Sequence, residues 1–147
     1  MNYPIVAAQL YTIRDFTQTP AEIKDSFKKI KKIGYNSVQV SGIGEIDHQQ
    51  LKDIADESGL NICATHISFE RLKNQLDDVI KQHKIWNCEY VGLGGLPGEY
   101  RTSREGYTSF AREASQIARK LSDNGLKFIY HNHNFEFAKF DGITGMD

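Results

Sequence analysis

The chain has 147 residues, 39% hydrophobic and 25% charged, enough for one domain with a real core and without the bias of a disordered or low-complexity segment. Its net charge of −1 gives no field calling for nucleic acid or a membrane surface. Met1 to Leu10 has no basic start and no long apolar run, and no segment nears a membrane span, so no leader and a cytoplasmic location are expected. Cys63 and Cys88 lie in or beside apolar segments without metal-finger spacing and are expected to be buried thiols.

Ile5 to Tyr11 is mostly apolar and is expected to be the first strand, covered on both faces. Thr19, Pro20 and Glu22 form a capping box with proline at the first helical position; Ile23, Phe27 and Ile30 come next at helical spacing, up to a stop at Gly34. Lys24, Lys28, Lys29, Lys31 and Lys32 on that helix read as a solvated face. The phrase then repeats. Tyr35 to Ser41 is a strand, Asp47 to Ser58 a helix and Gly59 its stop; Asn61 to His66 is a strand, with Phe69 to His83 the helix after it. His48 and His83 are expected at the surface, and Trp86 in packing. Glu89 to Leu93 is the fourth strand, followed by a loop loosened by glycines 94, 95 and 98. A helix from about Ser103 to Asp123 then precedes the fifth strand, Lys127 to His131.

Strand alternating with helix predicts a parallel sheet with right-handed crossovers. A doubly wound domain would need a helix over its last strand, but only sixteen residues come after His131. The expected fold is therefore the N-terminal half of a single (β/α)8 TIM barrel, residues 1 to 147, with about five parallel strands. Thr144 and Asp147 have the spacing of a further helix cap.

In such folds the site lies at the C-terminal strand ends. The run Tyr130-His-Asn-His-Asn-Phe-Glu-Phe137 is the strongest signal there: His131 and His133 lie two apart, on one side of a strand, with Glu136 just beyond. Imidazole and carboxylate suit zinc, manganese, iron or cobalt and equally suit acid–base work. Gln9 and Tyr11 place polar groups on one face of the first strand, and His66 ends the third; each reads as a substrate contact or as a satisfied core group. The glycines at 92, 94 and 95 lack dinucleotide-fingerprint spacing and read as a tight loop.

Gln9-Leu-Tyr-Thr-Ile-Arg14, Ala64-Thr-His66 and the 130–137 run resemble the xylose-isomerase-like TIM-barrel superfamily of sugar phosphate isomerases and epimerases. The resemblance implies a divalent metal (manganese, zinc, cobalt, iron or magnesium) and a small-molecule sugar or sugar phosphate as substrate. It implies proton transfer beside a metal-polarised carbonyl, as isomerisation, epimerisation or a related dehydratase or lyase reaction. On this chain it implies catalysis by His131, His133 and Glu136, and substrate contacts from Gln9, Tyr11, His66 and Asn132. The metal ligand falls on His131, His133 or Glu136, with Glu136 and His131 favoured. The remaining ligands would come from later strands, so this stretch alone is expected to have little turnover. The alternatives are a non-catalytic half-barrel that binds sugar or assembles into a homo-oligomer, and a DNA-repair endonuclease, for which the charge is unfavourable.

Overall fold

The computed structural model describes residues 6–147 as an open, parallel α/β half-barrel. Its strands are β1 (Ala8–Gln9), β2 (Ser37–Val40), β3 (Asn61–Thr65), β4 (Tyr90–Leu93) and β5 (Lys127–Tyr130), and every pairing between them is parallel. The helices are α1 (Pro20–Ile33), α2 (His48–Glu57), α3 (Phe69–Asn74), α4 (Leu76–Trp86) and α5 (Arg104–Asp123). Strands β1-β2-β3 form one sheet and β4-β5 another. The two are joined where β3 ends: Ile67 bridges to Leu93, and its N–H donates to the Gly92 carbonyl at 2.7 Å. No described helix is long and apolar enough to cross a membrane.

The helix starts obey local chemistry. The Thr19 hydroxyl accepts the Glu22 N–H, the Glu22 carboxylate accepts the Thr19 N–H, and Gly34 closes α1 at φ 117°. Asp47 caps α2, Ser68 caps α3 and Ser103 caps α5. At the far end the Thr144 N–H and hydroxyl both donate to Asp147.

The core lies between strands and helices in two clusters. Leu10, Ile23, Phe27, Val38, Val40, Leu51, Ile62 and Trp86 belong to the first, and Leu72, Val79, Val91, Leu93, Ile117 and Leu121 to the second. Strand residues that miss both clusters, among them Gln9, Gln39, Gly92 and Ile129, line the opposite, inner face. Along β3 the alternation slips by one residue. Val38 pairs with Ile62 but Gln39 with Ala64, so Cys63 is the extra residue of a bulge and its thiol reaches the Val38 carbonyl. Ile62 and Thr65 therefore share the helix side, and His66 is delivered to the inner face.

Five expectations need correction. The expected start of the first strand, Ile5, lies outside the described residues; within them the strand is Ala8–Gln9 and the chain then turns through a 3₁₀ helix, Leu10–Phe16, so Tyr11 does not lie on a strand beside Gln9. The single helix from Phe69 to His83 is two, broken at Gln75, which sits at φ −137° and ψ 36°. The break lets α4 take its own helical phase, with Val79, Gln82, His83 and Trp86 inward. His83 is thus fully buried rather than at the surface, with Nδ1 2.7 Å from the Val79 carbonyl and Nε2 2.8 Å from the Thr65 hydroxyl. A carbonyl only accepts, so the proton sits on Nδ1 and Thr65 donates to Nε2. His48 is half-buried, its ring edge-on to Trp86 and its carbonyl accepting the indole N–H. Cys88 is buried as expected, while Cys63 is only half-buried.

Candidate active site

A cleft of about 1080 Å³ opens at the C-terminal ends of the strands. Gln9 and Tyr11 enter it from the first strand end, Ser41 and Gly42 from the second, and His66 and Ser68 from the third. The loops after β4 and β5 add Gly94, Gly95, Arg101, His131, His133 and Phe135.

On the first side the Tyr11 N–H donates to the buried Ser41 hydroxyl at 3.2 Å, and the Arg14 guanidinium covers the Tyr11 ring at 4.6 Å. The ring lies so close to Gly42 that a Cβ there would stand 2.8 Å from it. On the other side, aromatic faces form a continuous ladder. The His66 ring meets His131 edge-on at 5.2 Å; His131 stacks on His133 at 4.8 Å; His133 stacks on Phe135 at 5.1 Å; and the Arg101 guanidinium caps Phe135 at 3.8 Å.

Glycine makes that ladder possible. A Cβ on Gly94 would lie 3.0 Å from His66 Nδ1, one on Gly95 2.9 Å from His133 Cε1, and one on Gly92 2.1 Å from the Thr65 carbonyl oxygen. Gly95 also has φ 153°, a backbone conformation that suits glycine. The glycine run is thus where imidazoles rest on bare backbone. Burial holds the His66 imidazole below its ordinary pKa, and positive charge on His131 or His133 would push it further down. His66 therefore stands neutral near pH 7, with a free nitrogen lone pair in the cleft.

Glu136 is placed differently. It is 2% exposed and does not line the cleft. One carboxylate oxygen accepts the Tyr130 hydroxyl and the other accepts the His133 N–H at 2.7 Å. Burial, and then the bond to Glu136, raise the Tyr130 phenol's pKa, so it stays a protonated donor. Glu136 also anchors the segment around Gly145, because its carbonyl accepts the Gly145 N–H at 2.7 Å. Asn132 is exposed, away from the cleft, and turned toward the His133 carbonyl at 3.4 Å.

The structure thus gathers Gln9, Tyr11, His66, His131 and His133, and leaves out Asn132 and Glu136. Each oxygen of Glu136 accepts one hydrogen bond and its carboxylate does not line the cleft beside His131; among the described residues no group of three or more His, Cys, Asp or Glu side chains is placed to hold a metal ion. Sequence reasoning missed Arg101 and Phe135 as cleft residues. Arg101 comes after a 3₁₀ turn, Gly98–Tyr100, in a loop with no strand pattern to mark its direction. Phe135, two residues beyond an imidazole pair, could have been found as an aromatic neighbour.

The fold is that of the first half of a (β/α)8 barrel, and several solved structures share it. One is a sugar phosphate isomerase/epimerase from Parabacteroides distasonis, matched at TM-score 0.72 and 16% identity over 95% of this chain and 55% of that one. A xylose isomerase domain containing protein from Salmonella typhimurium matches at TM-score 0.65 and 12% identity, over 88% of this chain and 51% of that one. An AP endonuclease, family 2, from Brucella melitensis matches at TM-score 0.65 and 13% identity, over 87% and 55%. The chain spans about half the length of the solved structures it matches. No family model matches the sequence, and no curated protein does.

Proposed function

We propose that this chain supplies the first five strands, and the histidine side of the active site, of an enzyme that isomerises or epimerises a small keto-sugar. The observation that carries the reading is the convergence of His66, His131 and His133 on one cleft, with His66 held neutral. A neutral imidazole beside a carbonyl compound is a general base near its working pH. In the proposed step His66 takes the proton from the carbon next to the carbonyl, while N–H groups of the neighbouring imidazoles hold the carbonyl oxygen. The electron pair of the broken C–H bond forms the C=C bond of an enediolate, and the carbonyl π pair moves onto the oxygen that the imidazole N–H groups hold. Return of the proton from His66 to the adjacent carbon, with the original carbon's hydroxyl proton passing to the oxyanion, isomerises the sugar. Delivery of a proton to the original carbon by a second acid on the opposite face, as the oxyanion re-forms the carbonyl, epimerises it. Gln9 and Tyr11, across the cleft, would orient hydroxyl groups. Within this chain the groups placed to move the proton and hold the oxygen are the imidazoles of His66, His131 and His133.

The Parabacteroides neighbour, called a sugar phosphate isomerase/epimerase, supports the same reading. The endonuclease-like neighbour favours nucleic acid less, because Glu70 and Glu99 face the cleft alongside Lys73 and Arg101 and leave no net positive surface for phosphates.

The test is exchange of the proton next to the carbonyl. The full-length protein is incubated with ketoses in deuterated water and followed by NMR. We expect label to enter the substrate, and His66→Gln to slow entry at least about 100-fold. Labelling at an unchanged rate in His66→Gln would refute the assignment.

A further inference from the structure

The cleft-lining cations differ in one respect. Lys73 is occupied: its ammonium lies 3.5 Å from Glu113 and donates to the Tyr100 hydroxyl at 3.3 Å. Arg101 has no carboxylate in salt-bridge contact among the described residues. It is nevertheless fixed. Its Nε donates to the Leu96 carbonyl at 2.7 Å, and its plane lies on the Phe135 ring at 3.8 Å. Those contacts use one edge and one face of the guanidinium; among the described residues neither terminal nitrogen makes a hydrogen bond. A guanidinium held in place, with its two-nitrogen edge unused, is pre-organised for a bidentate oxyanion, since little side-chain entropy is left to lose. It is also tied to the candidate chemistry, because Phe135 beneath it is the last ring of the stack that begins at His66.

We propose that Arg101 is the anion-recognition residue of this cleft, and that the sugar it takes carries a phosphate or carboxylate at the end remote from the reacting carbon. The inference rests on the proposed function for the position of the reacting carbon. Glu70 and Glu99 face the same cleft, so the preference comes from direct contact with Arg101 rather than from a long-range field.

The test is calorimetric titration of the full-length protein with fructose 6-phosphate, gluconate and fructose. Wild type should bind at least one of the two anions at least about tenfold tighter than fructose, and which anion it is separates phosphate from carboxylate. Arg101→Gln, which keeps most of the stem, should lose that preference while binding fructose as wild type does, and Arg101→Lys should keep part of it. Retained fructose binding shows that the variant is folded. An anion preference unchanged in Arg101→Gln, or wild type that prefers neither anion, overturns the proposal. The readout is binding, so an anion preference without proton exchange would sink the catalytic reading and leave Arg101's role standing.

Discussion

His83 makes the stability of the fold depend on pH. Its ring is wholly buried, donating to Val79 and accepting from Thr65, and burial brings its pKa down to about 4 from the ordinary 6.5. A lowered folded-state pKa means that between those two values the unfolded chain binds more protons than the folded one. The stabilisation is therefore complete above pH 6.5 and is lost as pH falls toward 4. At pH 5 an unfolded histidine is almost fully charged, whereas His83 in the fold is about one-tenth charged, which corresponds to a loss of about 2 kcal/mol relative to pH 7.5. His66, also lowered, adds to the loss over the same range. The assay is urea unfolding at pH 7.5 and pH 5.0 of wild type and His83→Gln. Subtracting the variant's pH loss cancels His66 and the carboxylates, and the difference should be about 2 kcal/mol. Equal losses in the two proteins, or an NMR titration that places His83 near 6.5, would refute the reasoning.

Four further outcomes are expected. Glu136→Ala strands the Tyr130 hydroxyl and the His133 N–H in a buried site and should cost about 2–4 kcal/mol in chemical denaturation, with Glu136→Gln costing less. Gly95→Ala combines a strained φ with a Cβ 2.9 Å from the His133 ring; a loss of about 1–3 kcal/mol and changed His133 ring shifts in NMR should result. Thr19→Ala removes half of the α1 capping box and should cost about 0.5–2 kcal/mol in thermal unfolding. In the native state Cys63 should react with a thiol reagent well before Cys88, whose buried thiol is pushed up to about 11; equal rates would contradict the packing.

The parallel fold is legible in the sequence because its signals are local. Thr19, Glu22 and Gly34 bound a helix by chemistry within one turn, and apolar runs between glycines mark strands covered on both faces. The histidine pair is legible for the same reason, since two residues apart means one side. What fails depends on phase. The break at Gln75 has no glycine or proline to announce it, so one continuous helical period puts His83 on the wrong side. Glu136 sits one turn beyond a strand end, where no period says whether a carboxylate faces ligand or core; Tyr130 and the His133 amide decide it. The bulge at Cys63 is equally silent. Strict alternation from Ile62 would send His66 to the helix side, and one unpaired residue turns it into the cleft.

The divided sheet sets how the domain comes apart. Gln9 and His66 stand on the three-stranded part, His131 and His133 on the two-stranded part, and the Ile67–Leu93 bridge is the ladder contact between them. Each part has its own apolar cluster, so each is a candidate unit of local opening, separately visible in amide exchange. A molecule held between His66 and His131 would staple that seam. Occupancy of the cleft would then be read in backbone protection along β3 and β4, on amides that never touch the ligand.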